Sequence, residues 1–198
     1  MAPKSDEQYK KIRDKRYEEL SNAALKIFSS KGFAATKISD ITSSVNLSHG
    51  LFYHYFQSKE DIYISLIMNV LDMFTEAVND IERRDGTPWE KLTWLTERTF
   101  SASLEEGLYR HILVIQAFQS ESIPLEIKKA MSEKYQAAMQ GISRIIAAGQ
   151  RDGVFVEDDP MELAIYYLSL SHGLTLWNVK GFAPITVSVE KVMRHLKA

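Results

Sequence analysis

The sequence predicts an all-α protein in two parts, an amino-terminal three-helix unit containing a helix-turn-helix and a larger carboxy-terminal helical domain. Three observations predict it. Residues suited to burial recur at helical spacing along most of the chain, as with Ile38, Ile41, Thr42 and Val45 at i, i+3, i+4 and i+7. Short clusters of Gly, Pro, Asn and Ser punctuate that pattern where helices would end. Only Val154-Phe155-Val156 could pass for a strand, and three residues without a partner read as extended loop.

Composition sets the outer limits. A chain of 198 residues holds one large or two small domains, and 45% hydrophobic residues suffice for a substantial core. The absence of cysteine excludes disulfides, thiol catalysis and cysteine-based zinc sites, and points to a reducing cytoplasm. Met1 to Arg16 is polar and has no signal-peptide apolar core. No apolar run of about 18 residues is present, so a soluble protein without a membrane partner is expected. The net charge of −2 divides unevenly: residues 1–60 carry 10 Lys+Arg against 7 Asp+Glu, and residues 61–198 carry 14 against 19. The basic excess lies in the amino-terminal part, as polyanion binding there would require.

Residues 1 to about 8 read as a solvated arm. A helix follows from about Tyr9 to Ser30, with Leu20, Ala24, Ile27 and Phe28 on one face and Gly32 as its carboxy-terminal cap. The helix-turn-helix spans about 37–56. Asn46 supplies the positive φ of its turn, Ser48 caps the second helix, and Phe52 with Phe56 form that helix's buried stripe. At about 100° per residue His54 falls opposite the stripe, Leu51 and Tyr55 lie nearby, and His49 and Gly50 sit at the amino-terminal tip. Ser58 caps a long helix running to about Arg84, with Glu60 and Asp61 near the positive end of its dipole. The domain boundary is therefore placed between 1–58 and 59–198.

Asp85-Gly86-Thr87-Pro88 is the clearest later break. Beyond it, helices are predicted at about Pro88–Leu104, Leu108–Ser120, Pro124–Arg151, Pro160–Val179 and Thr186–Leu196. Glu105-Glu106-Gly107, Ser122-Ile123-Pro124, Asp152-Gly153 and Gly181-Phe182-Ala183-Pro184 separate them.

Ala23-Ala24, Phe28, Gly32-Phe33, Thr36, Ile41, Ser48, Gly50, Tyr53-x-Tyr55-Phe56 and Ser58-Lys59-Glu60 carry a resemblance. In their joint spacing the segment resembles the DNA-binding domain of the TetR family of bacterial transcriptional regulators. Thr42 and Val45 stand where that family usually has alanines, and Asn46 where it usually has glycine. The resemblance implies a homodimer that binds palindromic double-stranded operator DNA, most often as a repressor, and releases it when a small-molecule effector binds.

For DNA recognition, Thr36, Lys37, Tyr53 and Lys59 are candidates for phosphate contacts, and Ser48, His49, Gly50, Leu51, His54 and Tyr55 for the groove-facing surface. A family-like arm would add Lys4, Lys10 and Lys11. An apolar effector pocket is implied within about 62–178. Candidates for its lining are Trp94, Phe118, Tyr135, Met139, His111, His172 and Trp177, each of which could equally be a core residue.

The helix at 161–179 is apolar around much of its circumference, so it should be buried on more than one side. It is either a central core helix or, with 186–196, a dimer interface through Tyr166, Leu170, Gly173, Leu174, Val189 and Met193. The five histidines are scattered without HExxH or i, i+4 pairing, and there is no phosphate-cradling glycine loop. No catalytic residue, metal or cofactor is expected. Alternatives are a helical small-molecule binding or enzymatic protein with a vestigial DNA-binding segment, and an activator of the same fold.

Overall fold

The structure is a computed structural model describing residues 6–101, 104–179 and 188–198. Its helices are α1 (Asp6–Lys31), α2 (Ile38–Ser44), α3 (His49–Phe52), α4 (Lys59–Arg83), α5 (Pro88–Ser101), α6 (Leu104–Gln119), α7 (Leu125–Arg151), α8 (Pro160–Val179) and α9 (Val189–Met193). A 3-10 turn at Arg194–Leu196 follows α9. The chain divides into two compact units between Ile67 and Met68. This lies inside α4, later than the expected boundary at residue 58. The physical reason is burial: Ile62, Tyr63 and Ile67 belong to the first unit's core, where the Tyr63 ring lies 4.9 Å from that of Phe28 and 4.7 Å from that of Phe33.

In the amino-terminal unit, Leu20, Ala24 and Phe28 of α1, Ile41 of α2 and Phe52 of α3 are fully buried together with Ile62 and Ile67. Gly32 ends α1 with φ +79°, its N–H donating to the Phe28 carbonyl at 2.8 Å. Asn46 takes φ +54° between α2 and α3, as its tolerance of the left-handed region predicts. The second helix is shorter than the sequence suggests. After Phe52 the chain tightens into turns, with the His54 N–H on Leu51 O and the Phe56 N–H on Phe52 O, and Phe56 still reaches the core at 4% exposure.

The carboxy-terminal unit packs α7 against α8 and α5, with α9 against α5. Val78, Leu92, Ile142, Ile146, Ala164 and Leu196 are fully buried at its centre. The expected break at Glu105-Glu106-Gly107 is not a break, because α6 already begins at Leu104. Two acidic residues suit the first turn of a helix, and one glycine costs only about 1 kcal/mol inside it. Val154-Phe155-Val156 does have a partner: Phe155 bridges antiparallel to Lys197, and the Val156 N–H donates to Leu196 O at 3.0 Å. The last helix is also shorter than expected within its described part, a turn and a half of α9 plus the 3-10 turn. Lys4, the separator at 181–184 and the helix start at Thr186 lie outside the described residues. Among the described residues, no helix is long and apolar enough to cross a membrane.

Candidate nucleic-acid interface and effector cavity

Local hydrogen bonding sets the pose of the helix-turn-helix. Asp40 on the first turn of α2 accepts from the Lys37 backbone N–H at 3.2 Å and from Lys31 Nζ at 3.2 Å. The Lys37 backbone bond, then the Lys31 bond, hold its carboxyl below the ordinary range. At the other helix, Ser48 Oγ accepts from the Leu51 N–H at 3.2 Å, the N-cap bond expected of it. Phe52 and Phe56 anchor that segment from beneath, their centroids 5.6 Å apart.

What these anchors leave outside is a polar and aromatic surface. Ser48, His49, Gly50, Tyr53 and His54 are exposed, Leu51 and Tyr55 are half-buried, and the His49 and Tyr53 rings meet edge-on at 5.4 Å. No atom lies within 4 Å of where a Gly50 Cβ would stand, so packing does not demand glycine there. Lys37 is exposed beside this surface.

Two of the expected phosphate ligands have structural posts. Thr36 is 1% exposed and its hydroxyl donates to Gly32 O at 2.7 Å, so that proton is already committed to the α1–α2 loop. Lys59 Nζ donates to Phe33 O at 2.9 Å and Thr36 O at 3.0 Å, and lies 4.3 Å from the Phe33 ring centroid. Residue type alone suggests phosphate contacts for both, whereas the docking of α4 on that loop decides where the groups point.

The carboxy-terminal unit encloses a cavity of about 480 Å³ lined from α4 to α8. Of the expected ligand residues it brings together Phe118, Tyr135, His111 and His172. The two imidazoles lie 4.1 Å apart at their centroids, and Nε2 of His111 is buried with no hydrogen-bond partner among the described residues. Burial depresses the basicity of both rings, His111 to about 4 and His172 to about 3, with the neighbouring His111 adding to the effect on His172. Burial likewise pushes Tyr167 up to about 12, although its hydroxyl pairs with Thr96 Oγ1 at 2.8 Å.

Trp94, Met139 and Trp177 do not line the cavity. Trp94 stacks beneath the Arg84 guanidinium at 4.0 Å, Met139 packs on the core, and Trp177 is 45% exposed. Sequence reasoning missed Arg110, Val114, Ile115, Phe74 and Tyr167. A signal was present: Gly107, Arg110, His111, Val114, Ile115 and Phe118 follow i, i+3, i+4, i+7, i+8, i+11, one stripe of α6 whose apolar run is broken by two basic side chains.

On α8, Leu163, Ala164, Tyr167 and Leu168 turn inward, while Ile165, Tyr166, Leu170 and Gly173 turn outward and are exposed. Of the expected interface residues, Tyr166, Leu170 and Gly173 are therefore accessible. Met193 is not: it is fully buried in its own chain's core and accepts from Thr93 Oγ1 at 3.5 Å. Leu174 and Val189 are partly buried against the same core.

A helix-turn-helix that presents its second helix to solvent, carried with a helical unit built round a cavity, defines a DNA-binding transcriptional regulator. Residues 20–66 match the family model described as bacterial regulatory proteins, tetR family. It is 22% identical over 164 residues to the fatty acid metabolism regulator protein of Bacillus subtilis (strain 168), covering 82% of this chain and 83% of the relative. It is 34% identical over 122 residues to the transcriptional repressor KstR2 of Mycolicibacterium smegmatis, covering 62% of this chain and 55% of that one. Among solved structures, the TetR family regulator PfmR from Thermus thermophilus superposes with a TM-score of 0.68 at 26% identity, over 89% of this chain and 92% of the other.

Proposed function

We propose that this protein is a homodimeric cytoplasmic repressor that holds a palindromic operator and releases it when a small, largely apolar effector enters the cavity. The observation that carries this reading is α4. It starts at Lys59, tied to the loop that opens the helix-turn-helix, and continues to Val70, Leu71 and Phe74 in the cavity wall. An effector that displaces those three side chains moves α4, and with it the spacing of two α3 helices across a dimer. Coupling is reciprocal, so operator DNA weakens effector binding by the factor by which effector weakens DNA binding. The outward apolar face of α8 supports the dimer, since exposed apolar patches mark partner surfaces. The names of similar proteins, among them a repressor, support the direction of control. No catalytic step is assigned.

On DNA, Ser48, His49, Gly50, Leu51, His54 and Tyr55 face the major groove, and Lys37 and Tyr53 flank it at the phosphates. The test is selection of tight-binding duplexes from random DNA, followed by salt-titrated binding of wild type and the Lys37→Ala, Tyr53→Ala double variant. A palindrome is expected, with affinity falling steeply as salt rises and a shallower slope in the variant. Weak binding without sequence preference would sink the reading.

A further inference from the structure

The cavity has one polar pole. His111 of α6 faces His172 of α8 at 4.1 Å, Tyr135 of α7 stands 6.3 Å from the His172 ring, and Arg110 lines the wall one residue before His111. Elsewhere the described part of the wall is mainly aliphatic or aromatic. Among the described residues, the titratable groups that line the cavity with the pair are Arg110 from α6, Tyr135 from α7 and Tyr167 from α8, with none from α4 or α5.

A neutral imidazole offers one N–H donor and one acceptor nitrogen. Two of them side by side in an apolar wall make a site for a group that can both accept and share a proton, and the buried Nε2 of His111 has no such partner among the described residues. A carboxyl group fits. One of its oxygens takes the N–H of one imidazole, and its other oxygen shares a proton with the acceptor nitrogen of the second. A hydroxyl has only one oxygen to offer.

We propose that the cavity binds a monocarboxylic acid with an elongated apolar body, its carboxyl group seated against His111 and His172. The proposal rests on the cavity being the effector site. At neutral pH the free acid is ionised and the free imidazoles are neutral. Binding then takes up one proton from solvent, held between carboxyl and imidazole.

The test is titration calorimetry of the full chain with decanoate and with decan-1-ol, probes that differ only in the head group, in two buffers of unlike ionisation enthalpy. Decanoate is expected to bind at least about tenfold more tightly than the alcohol, one per chain. It should take up close to one proton and tighten by up to about tenfold per unit as pH falls from about 8 to about 6. His111→Phe and His172→Phe, which keep an aromatic ring, should each bring decanoate down to the affinity of the alcohol. Equal binding of the two probes, pH-independent binding of decanoate, or no binding of either overturns the proposal, and none of these readings depends on a variant folding. The regulator reading is scored separately on the same preparations. Salt-dependent, sequence-specific DNA binding without a decanoate preference overturns acid recognition alone, whereas decanoate preference without specific DNA binding supports acid recognition and overturns the regulator.

Discussion

Lys59 holds its ammonium 2.9 Å from the carbonyl oxygen of Phe33 and 4.3 Å from the centroid of the same residue's ring. With its second bond to Thr36 O, this single side chain joins the first turn of α4 to the loop between α1 and α2. Lys59→Met retains the stem and removes the donors, leaving two carbonyls to find other partners. We expect a loss of about 1–3 kcal/mol in urea unfolding and a parallel loss of operator affinity. Unchanged stability would show that the bonds contribute nothing.

Asn46 occupies the left-handed region at φ +54° in the turn between α2 and α3. Asn46→Ala should destabilise by about 1 kcal/mol, whereas Asn46→Gly should be neutral within about 0.5 kcal/mol. Equal effects in chemical denaturation would remove backbone strain as the reason for asparagine.

Gly149 on α7 is covered by the ring of Phe155, so that an added Cβ would fall on ring carbons. Gly149→Ala should cost about 1–3 kcal/mol through overpacking. Combining it with Phe155→Leu should give less than the sum of the two single losses, a double-mutant cycle that isolates the contact. Strict additivity would count against it.

His111 and His172 are neutral when buried, at about 4 and about 3 against 6.5 for a free imidazole. The unfolded chain therefore binds more protons than the folded chain below about pH 6.5. Their contribution to stability is complete above that pH and is lost as pH falls toward 4, by up to about 1.4 kcal/mol per unit for each ring. Carboxylates titrate in the lower part of this window, so the check is a comparison: the double variant His111→Phe, His172→Phe should show a shallower fall than wild type between about pH 6.5 and 5.

Tyr166 and Leu170 project from the outer face of α8, 57% and 38% exposed. Tyr166→Glu with Leu170→Glu should yield a folded monomer in sedimentation, with operator affinity reduced by at least about a hundredfold because half-sites bind singly. A dimer that survives both charges places the interface elsewhere.

Much of the fold was legible because its signals are short-range. Asn46 for the turn, Ser48 as N-cap, Gly32 as C-cap and the Phe52/Phe56 stripe are each decided within three or four residues of chain, and the structure has all four. The helix limits at Lys59–Arg83, Leu125–Arg151 and Pro160–Val179 follow from the same local chemistry. Glu105-Glu106-Gly107 misled because a glycine beside two acidic residues signals both a break and a tolerable first turn.

What the sequence by itself determined, then, is the helical class, the helix-turn-helix and the residue types its outer surface presents. Only tertiary structure decided that Thr36 and Lys59 turn their donors inward, that Met193 is core, that the last residues pair with Phe155, and that His111 meets His172 while Trp94 and Met139 stay outside the cavity. The reason is range. Capping and periodicity act between neighbours in the chain, whereas the choice among core, cavity and free face depends on helices far apart in sequence that must share one packed interior.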